Sequence, residues 1–356
     1  MTLSDILIKA GQATPSADNS QPWLFVTKAS TFSVMYDSKR VLNKTFKPDA
    51  HATYLSIGAL LENLNQMCRE VKVTLQWNFP ETFNPDNPVY FEAQLKEGNL
   101  NINEAEFANH PLFSRHTYRF PFQKKQIPSQ IIDAVVAKKT EYAKAVVITD
   151  NNKIRDMASL VKDASQIRFQ TQEIHEWLGR SLRFGKQAMQ TRDGLDVATL
   201  DLPPGGSLFM RFISDWRRMK AMNFLGTHKF MSWVDSMPVK SAPAIIAIIG
   251  QAGFRETLSA GQLMQSIWID LNEQGIAVHP YYVVPDQMNR LKDGVVPKDL
   301  QQQAEQVSKQ TRNLLDLQEN EVFHMLFRVG YPTKNNTKRS LRLPLDKLCN
   351  TIPTNS

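Results

Sequence analysis

Apolar positions recur with the period of an α-helix at the start of the chain, and elsewhere they gather into short runs. The N-terminal stripe consists of Leu3, Ile6, Leu7 and Ala10. Because these positions share one side of a helix, they predict a short amphipathic helix. The short apolar or β-prone runs are Leu24–Val26, Val73–Trp77, Val89–Leu95, Ala242–Gly250 and Val322–Val329. Runs of this length and composition predict β-strands.

Two segments far apart in the chain resemble each other. Leu55–Leu64 and Leu258–Ile267 carry Leu, Ser, Gly and Leu at matching positions. Their helical stripes are Ile57, Leu60, Leu61, Leu64 and Cys68 in the first, and Met264, Ile267, Trp268 and Leu271 in the second. Each predicted helix has a glycine in its first turns, which permits close approach of another backbone or a ligand. The second helix is expected to end near Gly275. The pattern indicates an internal duplication, or else the ordinary likeness of two amphipathic helices.

Length and composition are those of a globular protein. The chain has 356 residues, of which 42% are hydrophobic and 22% charged, so it has room for two or so domains. Disorder is expected only at the polar tail Asn350–Ser356. No apolar run approaches the roughly 18 residues that span a bilayer. The start of the chain lacks the basic and apolar segments of a signal peptide, so we expect a cytoplasmic protein with no membrane partner.

Cysteine, histidine and net charge give little sign of special chemistry. Cys68 and Cys349 lie far apart and match no metal or redox spacing, and Cys68 falls on an apolar helix face, so burial is expected. The seven histidines are scattered, and no metal site is predicted. The net charge of +7 is spread along the chain, which favours a solvated surface over a nucleic-acid site. The net charge of +7 is the only feature that supports the alternative of a nucleic-acid-binding module.

Candidate chemistry begins in the polar loop that precedes the first predicted strand. The loop residues of interest are Pro15, Ser16, Asn19 and Gln21, in the order Pro-Ser-x-x-Asn-x-Gln-Pro-Trp. Such a loop exposes backbone N–H groups and a side-chain amide at a sheet edge, where they can hold a flat polar ligand. The alternative is an ordinary turn with Trp23 as core filling. The order resembles the signature loop of the FMN-dependent nitroreductase family.

Two later segments resemble other parts of that family. Arg115–Phe122 is similar to the Arg-Arg-Ser-x-Arg segment that opens a nitroreductase subunit and grips the FMN phosphate and ring. Its implied cofactor residues are Arg115, His116, Thr117 and Arg119. Phe327–Pro332 is similar to the closing strand with its Gly-Tyr-Pro turn, after which Arg339 or Arg342 would return to the phosphate. Arginine offers forked donors to phosphate, whereas the alternative for each arginine is surface solvation.

A fourth segment, Gly275–Pro285, stands where nitroreductases place a proline-containing loop whose backbone N–H faces flavin N5. The resemblance implies a contact through Tyr282 or Val283. Val283 replaces the glycine usual in that loop, which puts the contact in doubt. A loop with two packed tyrosines is the alternative.

The middle segment, about 150–240, has no counterpart in a minimal nitroreductase. It is rich in aromatic residues and arginine, and helices are expected on both sides of the loop-like stretch Asp201–Ser207. Trp177–Leu200 is similar to a region of fused nitroreductase-like proteins that include the mycobacterial Acg family. Such an insert acts either as a lid over a flavin or as a helical buttress.

Together the resemblance implies an α+β, nitroreductase-like fold with two related lobes fused in one chain as a pseudo-dimer. The halves would be residues 1–108 and 109–356, the second containing the helical insert. One FMN would lie between the halves, and the chain would be monomeric or weakly dimeric. NADH or NADPH would reduce it, and a flat, electron-poor small molecule such as a nitroaromatic or quinone would be reduced in turn. A non-catalytic protein that sequesters FMN is the alternative.

Overall fold

The computed structural model describes residues 1–28, 30–41, 46–96, 100, 104–335 and 337–352. Its strands are β1 (Trp23–Lys28), β2 (Thr31–Tyr36), β3 (Val89–Gln94), β4 (Ala143–Ile148), β5 (Leu182–Arg183), β6 (Leu195–Asp196), β7 (Ala244–Gln251), β8 (Ala277–Tyr281), β9 (Glu321–Gly330) and β10 (Cys349–Ile352). Its helices up to the middle of the chain are α1 (Leu3–Gln12), α2 (Ser38–Val41), α3 (His51–Glu70), α4 (Glu104–Asn109), α5 (Pro111–Ser114), α6 (Ser129–Ala137), α7 (Asn151–Gln170) and α8 (Gln172–Ser181). The later helices are α9 (Gln187–Thr191), α10 (Gly206–Ile213), α11 (Trp216–Phe224), α12 (Thr227–Lys240), α13 (Phe254–Glu273), α14 (Val283–Lys292) and α15 (Gln301–Leu315). Turns of 3-10 helix lie at Ala17–Asn19, Val197–Thr199, Lys298–Leu300 and Leu345–Lys347. The predicted α+β class is confirmed.

The strands form two main sheets. The first has the order β10-β1-β2-β3, in which β1, β2 and β3 are antiparallel neighbours and β10 joins β1 in parallel, with Cys349 opposite Phe25. The second has the order β4-β7-β9-β8 and is antiparallel throughout. Because β10 comes from the C-terminal end and β1 from the N-terminal end, the last described strand completes the sheet of the first part of the chain.

The two sheets bury their apolar faces differently. The first sheet packs against α1 and α3 in a core that includes Leu7, Trp23 and Phe25. The second sheet has a core on each face, one shared with α7 and α15 and the other with α6 and α13. Strand β7 therefore reads as a nearly continuous apolar run, and every residue except the terminal Gln251 is buried.

Helices α3 and α13, which contain the two similar segments, pack directly against each other. Their closest approach is at Gly58 and Gly261, where a Cβ added to either residue would lie 2.9 Å from the other Cα. Glycine at these two positions predicts close approach of either another backbone or a ligand, and the structure shows the backbone contact.

Most of the predicted elements are confirmed. The N-terminal helix spans Leu3–Gln12, and a reciprocal pair of hydrogen bonds between Thr2 and Asp5 caps it. The second similar helix ends just before Gly275, which has φ +74°. Cys68 is buried, as expected. Helices lie on both sides of Asp201–Ser207, as expected, and we call the segment that contains α7 to α12 the insert.

Two of the predicted elements are wrong. Val73–Trp77 forms no strand: Trp77 donates to Asn65 Oδ1 at 2.8 Å and packs on Phe91, so this segment is held by its side chains. The tail is not disordered from Asn350, since Cys349–Ile352 forms β10 by pairing with the open edge of β1. Residues 353–356 of that tail lie outside the described residues.

Candidate functional site

The polar loop before β1 has an unusual backbone. Asp18, Asn19 and Gln21 have φ of +49°, +56° and +49°. Asparagine and aspartate tolerate this left-handed conformation, whereas glutamine rarely adopts it. Residues held in such conformations cost on the order of 1–3 kcal/mol each and cluster at ligand sites. The strain therefore marks this loop as more than a connecting turn.

Gln21 is fully buried and holds the loop in place. Its backbone N–H donates to Ser16 Oγ at 2.9 Å, and its side-chain amide donates to the carbonyls of Asn19 and Arg192 at 3.2 and 3.1 Å. Its Oε1 accepts from the Leu343 N–H at 2.9 Å. This one side chain thus joins the loop, the insert and the C-terminal segment.

Asn19 makes a second connection to the C-terminal segment. Its Nδ2 donates to the Leu341 carbonyl at 2.9 Å, and its Oδ1 accepts from the Arg342 guanidinium. Pro15 lies half-buried in the same loop. The structure therefore brings the predicted loop and Arg342 together, although they are more than 300 positions apart in the chain.

Arg115, Arg339 and Arg342 form a cationic cluster beside the loop. Arg115 is 5% exposed, donates to the Ala13 carbonyl at 2.9 Å and stacks 4.5 Å above the ring of Trp268. Its Nε is buried without a hydrogen-bond partner in the described part of the chain. Arg342 is half-buried, whereas Arg339 is exposed.

Burial and mutual repulsion act on the charges of this cluster. Burial lowers the pKa of Arg115 well below its ordinary range, and the charges of Arg342 and Arg339 lower it further. Burial alone lowers the pKa of Arg342 to about 10. Among the described residues, none of the three arginines forms an ion pair with a carboxylate. A positive region without a protein counter-charge is suited to an anionic ligand.

His116, Thr117 and Arg119 follow Arg115 in the chain, in the segment before α6. The His116 N–H donates to Asn272 Oδ1 at 3.0 Å, and Thr117 pairs with Val278 as an isolated parallel bridge. These contacts anchor the backbone, so His116 and Thr117 hold Arg115 and Arg119 in position. Arg119 reaches the insert, where it donates to Thr199 Oγ1 at 3.3 Å.

The segment containing Tyr282 and Val283 differs from its prediction. It is not a loop: β8 ends at Tyr281, and α14 begins at Val283, because the Asp286 N–H donates to the Tyr282 carbonyl at 2.8 Å and closes a helical turn. Within the described residues, no hydrogen bond or ring contact joins Tyr282 or Val283 to the Asn19 loop. At the start of α14 the backbone N–H groups of Val283 and Val284 have no intrahelical acceptor, whereas Pro285 has no N–H.

A buried hydrogen-bonded chain that the sequence analysis missed starts at Tyr282. The Tyr282 hydroxyl lies 2.8 Å from His51 Nδ1, His51 Nε2 lies 2.9 Å from His324 Nδ1, and His324 Nε2 lies 3.1 Å from the Gln251 carbonyl. Burial lowers the pKa of both histidines, that of His324 to about 4. Since a carbonyl only accepts, neutral His324 donates from Nε2 and accepts from His51, which in turn accepts from Tyr282. The two histidines are 273 positions apart, so no local pattern predicts their contact.

The insert contacts the Asn19 loop directly. The Gly194 N–H donates to the Asn19 carbonyl at 3.3 Å, and Arg192 Nε donates to the Arg342 carbonyl at 2.7 Å. Lys338 forms an ion pair of 2.9 Å with Asp196. The insert therefore covers the junction between the loop and the C-terminal segment.

The residues that the structure describes contain no group of three or more histidine, cysteine, aspartate or glutamate side chains placed to hold a metal ion. Nor do they include a helix that is both long enough and apolar enough to cross a membrane.

No family model matches the chain. The uncharacterized protein MT1398 of Mycobacterium tuberculosis (strain CDC 1551 / Oshkosh) is 25% identical over 290 residues, which is 78% of this chain and 38% of that protein. The chain therefore spans well under half of the length of this curated relative.

Several solved structures are similar to the chain. The FMN-dependent nitroreductase NfnB from Mycobacterium smegmatis, in complex with NADPH, is 14% identical with a TM-score of 0.39, covering 69% of this chain and 97% of that one. Iodotyrosine deiodinase bound to FMN and 3-iodo-L-tyrosine is 12% identical with a TM-score of 0.36, covering 66% and 93%. A nitroreductase with bound FMN from Bacteroides fragilis is 11% identical with a TM-score of 0.36, covering 67% and 96%. At TM-scores of 0.36 to 0.39 these likenesses do not assign a family.

Proposed function

We propose that this chain binds FMN between the Asn19 loop and the cationic cluster and works as an NAD(P)H-dependent oxidoreductase. The observation that carries the proposal is the cluster itself. Arg115, Arg339 and Arg342 lie beside a strained polar loop without a carboxylate to pair with, and the buried Nε of Arg115 has no partner in the described structure. A phosphate monoester supplies the missing charge and acceptors.

The residues present fit the two ends of FMN differently. Arg115 and Arg342 offer forked donors to the phosphate, and Arg339 adds charge from the exposed side. Asn19 already donates one N–H to Leu341, which leaves the second N–H of its amide for the edge of a flat ring. Pro15 and Ser16 would line that edge, with His116 and Thr117 supporting the ribityl end.

When bound, FMN supplies the redox chemistry, taking a hydride from NADH or NADPH and passing it to a flat acceptor such as a nitroaromatic or quinone. The chain's part is then to bind, orient and exclude water. The hydrogen bonds of Gln21 fix the position of the strained loop relative to Arg342. The insert shields the contact between this loop and the C-terminal segment from water. Tyr282 and Val283 would take part through the first-turn N–H groups of α14, which require no titratable side chain.

We further propose that the chain is a duplicated pseudo-dimer with halves 1–108 and 109–356. Both halves contain a comparable series of elements, α1-β1-β2-α3-β3 in the first and α6-β4-β7-α13-β9 in the second. Additional elements interrupt both series, namely α2 before α3 in the first half, and β8, α14 and α15 before β9 in the second. In both, the three strands are consecutive antiparallel neighbours in one sheet. The insert then occupies the position between β4 and β7 that only two positions, 29 and 30, occupy between β1 and β2. This arrangement supports one FMN site per chain, split between the halves.

A non-catalytic, FMN-sequestering protein is the second candidate. It is favoured by the contacts of Arg192 and Gly194 with the Asn19 loop, since an insert in this position can exclude a nicotinamide ring. Anaerobic addition of NADH and NADPH separates the two functions. Bleaching of the bound flavin supports the oxidoreductase, whereas bleaching by dithionite alone supports sequestration.

The primary test is flavin binding. Purified protein is mixed with FMN, desalted, and its absorption spectrum recorded, and the affinities for FMN and riboflavin are measured by fluorescence quenching. Arg115→Ala should weaken FMN binding about tenfold or more and leave riboflavin binding nearly unchanged, because one charge-assisted contact to phosphate is lost. Arg255→Ala, at a surface arginine over Phe79, is the matched control. Absence of retained flavin, or equal effects of Arg115→Ala on both ligands, would refute the proposal.

A further inference from the structure

Helix α12 exposes most of its large apolar side chains and buries mainly small polar ones. Its inner face, which packs on α7, carries the buried residues Thr227, Ser232, Ser236 and Val239. Its outer face carries Phe230, Trp233, Val234 and Met237, at i, i+3, i+4 and i+7, and all four are exposed. Phe230 and Trp233 are 60% and 51% exposed. An amphipathic helix of a globular protein normally has the opposite arrangement.

The apolar surface continues into the turn before α12. Phe224, at the end of α11, is 93% exposed, and the next residue, Leu225, is 76% exposed. Gly226 has φ +86° and makes the sharp turn that holds these two side chains outward. We call the six residues Phe224, Leu225, Phe230, Trp233, Val234 and Met237 the apolar ridge. Six large apolar side chains within fourteen positions exceed the scattered exposure that a soluble surface normally shows.

The two helices that contain the apolar ridge also carry several exposed cations. Helices α11 and α12 contain five basic residues: Arg217, Arg218, Lys220, Lys229 and Lys240. The first three lie in α11 and the two lysines Lys229 and Lys240 lie in α12, and all five are exposed. Two acidic residues lie in the same region: Asp235, which is paired with Arg168 of α7 at 3.0 Å, and the exposed Asp215, which caps the start of α11. Five cations against Asp215 leave the net charge of this region positive.

We propose that the apolar ridge docks on an anionic phospholipid bilayer, with α12 lying in the plane of the interface. Aromatic and aliphatic side chains would enter the acyl boundary, and the flanking lysines and arginines would meet lipid phosphates, as interfacial helices do. A second copy of the chain fits less well, because symmetric pairing of the ridge brings the same cations together. The contact is peripheral, since the 14 residues of α12 are too few to span a bilayer. This changes the expectation from composition that the chain has no membrane partner.

The inference stands apart from the proposed function. The ridge contains no residue of the Asn19 loop or the cationic cluster. Its exposure is explained neither by a lid over the flavin site nor by a helical buttress. Flavin binding and membrane docking can therefore each fail without affecting the other.

The test is co-sedimentation of the full chain with vesicles. One set contains equal parts of phosphatidylcholine and phosphatidylglycerol, and the other contains phosphatidylcholine alone. Wild-type protein should sediment with the first set and much less with the second. The double variant Phe224→Ser/Leu225→Ser should bind at least about tenfold more weakly, because two exposed apolar side chains no longer insert. Lys229→Glu should weaken binding to the anionic vesicles by at least about fivefold, because an anion replaces a surface cation and the local charge changes by two.

The double variant Val136→Ser/Val295→Ser is the matched control, since these residues are 52% and 50% exposed but lie outside the ridge. Far-ultraviolet circular dichroism checks that every variant is folded. As a second measurement, lipids brominated near the head of the acyl chain should quench tryptophan fluorescence in the wild type, and Trp233→Phe should remove most of that quenching.

Three outcomes would overturn the proposal. The first is no binding of the wild type to anionic vesicles, and the second is equal binding of the wild type and Phe224→Ser/Leu225→Ser. The third is a concentration-dependent dimer in sedimentation velocity that the ridge variant abolishes while vesicles leave the protein in solution. That third result would assign the ridge to a second copy of the chain.

Discussion

Gly58 of α3 and Gly261 of α13 contact each other reciprocally. A Cβ on Gly58 would lie 2.9 Å from Gly261 Cα and overlap the Leu258 carbonyl oxygen, and a Cβ on Gly261 would lie 2.9 Å from Gly58 Cα and overlap the Leu55 carbonyl oxygen. Leu55 and Leu258 are themselves the matching first residues of the two similar segments. Such a reciprocal contact of matching residues is the kind of interface that the proposed pseudo-dimer requires.

Gly58→Ala should destabilise the protein by about 1–3 kcal/mol, because the new methyl group meets backbone atoms that cannot move aside, and this outweighs the helix propensity gained. Urea unfolding followed by circular dichroism measures the change. Lys309→Ala, at an exposed position of α15, is the control, since it changes helix propensity without placing a methyl group against other atoms. If both substitutions had the same small effect, the two helices would not be in backbone contact.

Gln21→Ala should release the C-terminal segment from the Asn19 loop. The buried N–H of Leu343 loses its acceptor, which costs about 1–3 kcal/mol. Trypsin should then cleave at Arg339 and Arg342 faster than in the wild type, as read by intact mass against time. Gln301→Ala, which removes an exposed contact with Glu305, should leave the cleavage rate unchanged. Unaltered cleavage in Gln21→Ala would contradict the connection.

His324 should make the stability depend on pH. Burial lowers its pKa from 6.5 to about 4, so between these values the unfolded chain binds a proton that the folded chain does not. Stability should therefore fall as the pH falls from about 6.5 to about 4, by up to about 3 kcal/mol from this residue. Asp286, whose pKa burial raises to about 6, acts in the opposite direction.

The contribution of His324 is isolated by comparison with His324→Asn. The wild type should be the more stable of the two near neutral pH, and the difference in unfolding free energy should shrink towards pH 4. Urea titrations at several pH values measure it. Parallel stability curves for the two proteins would show that His324 does not titrate in this way.

Gly194→Ala should loosen the insert over the proposed flavin site. Gly194 has φ +70°, and an added Cβ would lie 2.7 Å from the Arg183 side chain and 2.5 Å from the Ser181 carbonyl oxygen. The loss of its N–H contact with Asn19 should raise the FMN dissociation rate about fivefold, measured by recovery of free-flavin fluorescence. Gly185→Ala has the same positive-φ strain, at +58°, in open space and is the control. Equal FMN dissociation rates in the two variants would show that the contact of the insert with the Asn19 loop does not retain the flavin.

Local pattern was sufficient to predict several elements. The stripe from Leu3 to Ala10, the glycine that follows α13 and the apolar run of β7 follow from helical period, turn conformation and burial, which act over a few residues. Pattern failed at Val73–Trp77, because a strand requires a partner, and only Asn78 of that region pairs with another strand. It failed again at β10, which exists because the edge of β1 is available to it.

The sequence by itself determined the residue types of the candidate site: a polar loop before the first strand, arginines able to hold a phosphate, and glycines that allow helices to touch. Tertiary structure alone decided which of them meet. Arg342 lies against Asn19, Gly194 against the same loop, and His51 against His324, each across a separation of more than 170 positions. Such contacts depend on how whole elements pack, and packing energy is a property of the folded chain and not of any local segment.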